Sequence, residues 1–443
     1  MLPGQFNFID LLISPIYIGL IFLVAFLLRD ENLNLKYYYR GLSIKIFGGL
    51  IFWLVYTFVY GGGDAWAYFY SAKSISNLLI QDFDKGWAVI SAQVQGIDIF
   101  PYFNQNTGTP AYYMARDFHT FTVARYTSIF SLITFNSFLT STILISALSF
   151  IGIWKLYSLI VNLYPTMKKP AFYLVIAMPS LIFWGGGIMK DTYVLSSCCW
   201  FSYNFYFIFI KRKKILINLF FIMVNTVIII NIKSYLLISL IPGSLLWLNS
   251  AYLKNINNYA LKIITFPIII GIISFAGFFV FQNISSFMGE YGNVESAIQQ
   301  AQVIQEDLLR EESYGKNNYN IGTIDGSLTG MISLAPMAIF TALYRPLPWE
   351  IGSPMMIISA LENILLIVVS IFLLIRLNPI SFLKIILKEP FLLFAFTFSF
   401  VFAFGVGIAS TNFGALVRYK IPLMPFFFTG LYIINYLSKN VKE

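Results

Sequence analysis

The chain is 443 residues long, with apolar residues making 58% of it and charged residues only 11%. A soluble fold of that length could not hide so much apolar surface in one core, and repeated apolar runs of about 18 to 23 residues read as membrane helices. The net charge is +9, yet the basic residues gather in short clusters at the ends of apolar runs. That distribution fits a positive-inside bias and excludes the continuous basic stripe a nucleic-acid partner would require.

In chain order, a first span is expected at 11–28, ending in Arg29-Asp30-Glu31, with Lys36, Arg40 and Lys45 in the loop beyond it. No basic region precedes this segment, so it reads as a span rather than a cleavable signal. A second span is expected at 46–60. Residues 61–125 are too polar to be all membrane and read as a first outer-face loop. A third span follows at 136–161, with a short helix from Thr127 ahead of it. A fourth at 171–184 breaks at Gly185-Gly186-Gly187, and a fifth covers 188–210. The run Lys211-Arg212-Lys213-Lys214 is the strongest topological signal, and setting it in the cytoplasm fixes the rest. Spans at 215–231 and 234–247 then form a hairpin with Lys233 at its outer turn. An eighth span at 263–281 leads to a second outer segment, 282–328. Spans at 354–374, 391–408 and 421–436 bring the total to about eleven, with the N-terminus outside and the C-terminus inside. Residues 331–344 are apolar but short and contain Pro336, so a re-entrant or interfacial helix is expected there. The fold class is therefore all-α, a polytopic integral membrane helix bundle forming one membrane domain over 1–443.

With this topology five polar patches converge on one face. The first is Gly61-Gly62-Gly63-Asp64, where glycines let a substrate approach the backbone beside a carboxylate; the plain alternative is a glycine turn with a solvated acid. The second holds Arg116, Asp117, His119 and Arg125. The two guanidiniums, permanently charged planar forks of donors, suit phosphate, while His119, the single histidine, is either a base or a bystander. In the third, Gly185-Gly186-Gly187 precedes Lys190-Asp191 at a new helix N-terminus. That is an arrangement for an anion, or else a tight hairpin with Lys190 reaching to headgroups. The fourth, Arg345-Pro346-Leu347-Pro348-Trp349-Glu350, holds Arg345 and Glu350 in an extended loop, because proline opposes helix. The fifth is Asn412-Phe413-Gly414 with Arg418-Tyr419-Lys420, two cations at the outer mouth of the last span, for which a bound anion is the economical explanation. Glu362 falls inside a span.

Cys198 and Cys199 are adjacent and read as packing residues, since neighbouring cysteines rarely bridge. No cofactor is expected. Asp82-Phe83-Asp84 has a spacing that could hold a divalent cation, but that spacing is common by chance in polar loops. No Walker loop, dinucleotide fingerprint, zinc spacing or nucleophile elbow is present.

Taken together, the Gly-Gly-Asp after an early span, the Arg opening the third span and the Arg-Tyr-Lys-Ile-Pro run at the last span resemble the GT-C superfamily of polytopic glycosyltransferases. Pro179-Ser180-Leu181-Ile182-Phe183-Trp184 with Lys190, Arg345-Pro346 through Trp349-Glu350, and Asn412-Phe413-Gly414 with Arg418 are similar to bacterial membrane proteins of surface-polysaccharide assembly. The resemblance implies a protein of a bacterial cytoplasmic membrane that moves sugar from a polyprenyl-phosphate carrier to a glycan, lipid or protein acceptor on the non-cytoplasmic face. It implies Asp64 as the base and Arg418 as a cation near the carrier phosphate; by their own chemistry Arg116, Arg125, Lys190, Arg345 and Lys420 are candidate further phosphate ligands. Asp117, His119, Asp191, Glu350 and Asn412 would support them. An O-antigen-type polymerase or ligase and a transporter of lipid-linked sugars stay open as alternatives.

Overall fold

The computed structural model describes residues 8–27, 34–254, 271, 294–308, 317–322 and 327–440. Among these residues the chain is all-helical, with one isolated antiparallel bridge from Asn318 to Asn412 and no strand. Nine of the described helical stretches are long and apolar enough to cross a membrane: Asp10–Leu27, Leu35–Val59, Phe138–Leu163, Lys190–Ile210, Ile215–Lys233, Leu236–Lys254, Pro354–Lys388, Pro390–Ala409 and Phe413–Lys439. The protein is a polytopic helical membrane protein.

The expected fourth span is not one continuous helix. It contains a π-turn at Phe172–Ile176, a non-helical Ala177 and then only Pro179–Trp184. The expected eighth span, apart from Gly271, and about half of the second outer segment lie outside the described residues. The segment 331–344 holds two short helices, the longer of them Ala335–Tyr344 with Pro336 in its first turn, too short to cross.

By its own contacts the chain divides into two compact units, 1–200 with 227–233 and 201–226 with 234–443. In the first, α1 (Phe8–Leu27) meets α7 (Phe138–Leu163) through Ser14 and Thr140, whose hydroxyls lie 2.9 Å apart. α2 (Leu35–Leu54) runs antiparallel to α7. Tyr37 packs near Tyr157, Tyr38 on Phe150 and Trp154, and the Ser146 hydroxyl donates to the Lys45 carbonyl. α2 continues into a π-turn, Val55–Val59, and Gly61–Gly63 then turn the chain, with positive φ at Gly61 and Gly63.

Residues 61–125, expected as a loop, are largely helical: α3 (Asp64–Gln81), α4 (Phe83–Ile90), a 3-10 turn at Gly96–Tyr102 and α5 (Tyr112–Ala115), followed by α6 (Phe118–Ile133). α3 buries Trp66, Phe69, Ala72 and Ile75 and packs along α6. Its Trp66 indole donates to the Tyr56 carbonyl near the end of one span, and its Asn77 accepts from Asn136 just before the start of another. α3 therefore lies across the ends of the Leu35–Val59 and Phe138–Leu163 spans.

Beyond α7 and α8 (Lys168–Ala171), α9 (Pro179–Trp184) ends at the three glycines and α10 (Lys190–Phe205) begins. This break is buried, and it faces the middle of α2 rather than a water interface. A Cβ on Gly48 would strike the Ile182 carbonyl oxygen, and one on Gly186 would lie 3.1 Å from backbone atoms of Gly48 and Gly49. Glycine on both sides lets two backbones touch within the span, the device by which small residues drive helix association in lipid.

In the second unit α11 (Ile215–Lys233) contributes its first two-thirds, and α12 (Leu236–Lys254) packs on α17 (Pro390–Ala409). Gly243 lies against Phe394 and Phe398, and Trp247 stacks on Phe394 with centroids 4.8 Å apart. Between them in sequence come α13 (Val294–Leu308), α14 (Leu328–Ser333), α15 (Ala335–Tyr344) and α16 (Pro354–Lys388). α15 touches α17 where Gly407 meets the Ala338 carbonyl. α16 kinks at Asn378-Pro379, where proline disfavours helix in the residue before it, and the Asn378 side chain caps the second half at the Ser381 amide. α18 (Phe413–Tyr419) and α19 (Met424–Asn440) complete the unit.

Adding a methyl group at Gly48 should destabilise the first unit by about 1 to 3 kcal/mol through overpacking. Gly19, with nothing within 4 Å of its would-be Cβ, should accept alanine with no loss, and thermal unfolding of Gly48→Ala and Gly19→Ala in detergent checks the contrast.

Candidate functional site

The sequence candidates fall into two clusters, one in each unit. Asp64 opens α3 directly after Gly63, whose φ of +89° suits glycine, and its carboxylate sits half-exposed at a helix N-terminus that favours negative charge. Tyr113 lies close enough that partial desolvation, with the Asp64 charge adding to it, pushes its phenol up to about 12. Three residues further on, Arg116 is exposed, its guanidinium 5.8 Å from the Tyr112 ring centroid.

Asp117 caps α6, accepting from the amides of His119 and Thr120. The Lys190 ammonium stands 3.4 Å from its carboxylate, a loose pair with half of the Asp117 side chain exposed. Burial works to raise the Asp117 carboxyl, but Lys190 and the capping donors outweigh it and hold the group below its ordinary value. The pair's modest contribution is therefore present above the ordinary carboxylate pKa and is lost as pH falls through the lower folded one. The His119 ring packs beside α11, with Nδ1 3.1 Å from the Asn231 carbonyl; because a carbonyl only accepts, Nδ1 carries the proton. The Asn231 amide in turn donates to the Tyr126 hydroxyl.

Asp191 and Lys233, both only 4% exposed, form an ion pair at 2.5 Å. The sequence placed Lys233 alone at an outer hairpin turn and Asp191 in support of Lys190; their joint burial was the missing element. Lys45 was also read differently from where it lies. Expected as a loop anchor, it is buried in α2, and its ammonium donates to the carbonyls of Leu181 and Gly185. Those are orphan acceptors at the C-terminal end of α9, so the lysine acts as a cap there. The Gly186 amide is bonded to Phe183 and the glycines are buried, so the turn does not present open amides to an anion.

Arg125 is likewise committed within the fold. Its Nε donates to the Val89 carbonyl in the last turn of α4, and its guanidinium lies about equally over Phe118 and Phe121, at 5.2 and 5.0 Å. Burial lowers it to about 10, which leaves it a cation at neutral pH. Asp82 caps α4 and pairs with Lys85 at 2.7 Å. Among the described residues no group of three or more His, Cys, Asp or Glu side chains gathers as metal ligands.

In the second unit Arg345 and Glu350 pair through two guanidinium nitrogens, and the second Glu350 oxygen accepts from the Leu347 amide. The guanidinium also lies over Tyr319 and Phe413, at 5.0 and 4.9 Å. Lys420, 1% exposed, donates to the Arg345 carbonyl and to Asn363 at 2.9 and 2.7 Å, with Glu362 as its charged neighbour. Asn363 itself donates to the Pro346 carbonyl. Asn412 caps α18 and reaches Asn318. Arg345, Glu350, Lys420 and Asn363 thus hold one polar knot, while Asn412 serves its own cap and Asn318. Arg418 is half-exposed and one residue before Tyr419, which lines an apolar cavity of about 270 Å³ with Tyr235, Phe402, Gly405, Ile304 and Met331.

Of the six sequence-predicted phosphate ligands, Arg125, Arg345 and Lys420 are occupied by intramolecular partners. By exposure, Arg125 and Lys420 are buried, Arg345, Lys190 and Arg418 are partly exposed, and Arg116 is exposed. Nothing short-range in the sequence signalled Tyr319, since its partners Arg345 and Phe413 lie far along the chain.

Removing one member of the Asp191–Lys233 pair strands the other charge, so Lys233→Met should cost about 3 to 5 kcal/mol. The double variant Asp191→Asn/Lys233→Met should recover much of that loss in denaturant unfolding of the detergent-solubilised protein.

No protein-family model, curated protein or solved structure matches this chain.

Proposed function

We propose that the protein is a membrane glycosyltransferase that moves a sugar from a polyprenyl-phosphate-linked donor to a glycan, lipid or protein acceptor on the non-cytoplasmic face. The observation that carries the reading is the apolar cavity bordered by Tyr419, inside the run Arg418-Tyr419-Lys420. An alkyl chain that ends in a phosphate needs an apolar slot with a cation nearby.

In this reading Asp64 takes the proton of the acceptor hydroxyl as that oxygen attacks the sugar's anomeric carbon. The carrier phosphate departs with the electron pair of the broken glycosidic bond, and a cation stabilises its growing charge. Arg116 and Lys190, in the same unit as Asp64, are proposed for that role, and Arg418, next to Tyr419 of the apolar cavity, is proposed to hold the carrier there. Arg345, Glu350 and Lys420 are positioning residues because their donors and acceptors already serve one another, and Asn412 is one because it caps α18 and holds Asn318.

A second reading, a proton-coupled carrier of lipid-linked sugars, is favoured by one feature. Lys45 is a buried amine within a span, set against the carbonyls of a broken helix, as in transporters that place ionisable groups at helix breaks. Incubating proteoliposomes with a lipid-linked sugar and acceptor separates the two, because a carrier moves the lipid without forming a new glycosidic bond. For the transferase, Asp64→Asn should lower turnover by about 10² to 10⁴-fold with folding intact, and Arg418→Ala should weaken it as well. Full product formation by Asp64→Asn would remove Asp64 from the base role. Product length on a gel distinguishes single addition from polymerisation.

A further inference from the structure

The corner between α3 and α4 carries three large apolar side chains in the open: Ile80, Phe83 and Trp87 are 70%, 66% and 51% exposed. Phe83 and Trp87 stand one helical turn apart with their rings nearly parallel. The opposite side of α4 is fixed tightly. Gly86 touches the backbone of Leu79, Val89 is fully buried, Asp82 caps the first turn, and Arg125 holds the last turn through the Val89 carbonyl. The aromatic pair is thus presented by a rigid element and is not the frayed end of a loop. Lys85, Asp82 and Asp84 occupy the polar part of the same short helix.

The level of this corner is set by its neighbours. Asn77, one turn before Ile80, bonds to Asn136, two residues ahead of the Phe138–Leu163 span, and Phe138 itself packs on Phe69. An amphipathic helix tied to the mouth of a membrane-crossing helix sits where headgroups meet acyl chains, the zone that tryptophan and phenylalanine prefer.

We infer that Ile80, Phe83 and Trp87 insert into the headgroup–acyl boundary of the bilayer in which the protein itself is embedded, so that α4 is an interfacial anchor for the helices carrying Asp64 and Asp117. The inference is independent of the proposed transferase activity. Single cysteines at Phe83, Trp87 and, as a control, Lys85 would be labelled with an NBD fluorophore and the protein reconstituted in phosphatidylcholine–phosphatidylglycerol vesicles. The native cysteines are buried. The expected result is blue-shifted emission at 83 and 87, lost to lipid-borne nitroxides near the headgroup and unaffected by aqueous iodide, with iodide quenching at 85. Iodide quenching at 83 and 87 equal to that at 85 would overturn the proposal in favour of a solvent-facing corner. Protection from both quenchers would overturn it in favour of a protein partner or a second copy.

Discussion

A lysine ammonium within a membrane span has almost no water to turn to, and this fold answers each buried amine with a different set of oxygens. Lys233 is met by the Asp191 carboxylate, Lys45 by two backbone carbonyls, and Lys420 by one carbonyl, one side-chain amide and the nearby Glu362. Each solution ties together segments distant in sequence: α10 to α11, α2 to the end of α9, and α18 to the Arg345–Glu350 loop and α16. The polar contacts that satisfy charge are also the contacts that set where helices break and begin.

Glycine supplies the complementary condition. Lys45 reaches the Gly185 carbonyl because Gly48 and Gly49 allow the backbone at Ile182 and Gly186 to come within van der Waals contact of α2. A wider side chain there would push α9 outward and take the carbonyls beyond the lysine's reach. Chemistry and sterics at this break are therefore one arrangement, and Lys190-Asp191 at the start of α10 inherits its position from it.

Much of the membrane architecture was legible in the sequence, because hydropathy over one span is a local property. The stretches Phe138–Leu163, Ile215–Lys233, Leu236–Lys254 and Pro390–Ala409 stand out by composition alone. Lys45 was not legible. A charge three residues before a glycine pair looks like the neighbour of Lys36 and Arg40, and its acceptors lie 136 and 140 positions away. Candidate residues were found as types but not as partners. Asp117 and Lys190 were both singled out, as were Arg345 and Glu350, yet only the fold shows that each pair holds itself and that Arg125 clamps a helix end.

The π-turn that ends α2 has a geometric corollary. Val55–Val59 fits an additional residue into its turn, and one residue corresponds to about 100° of rotation around a helix axis. Everything downstream is thereby phased away from the direction that an unbroken α-helix would dictate. Winding the same residues as regular α-helix would swing the Gly61–Gly63 hinge through more than a quarter circle and carry the Asp64 carboxylate away from Tyr113. The aim of that acid is set by an irregularity in the helix below it as much as by its own neighbours.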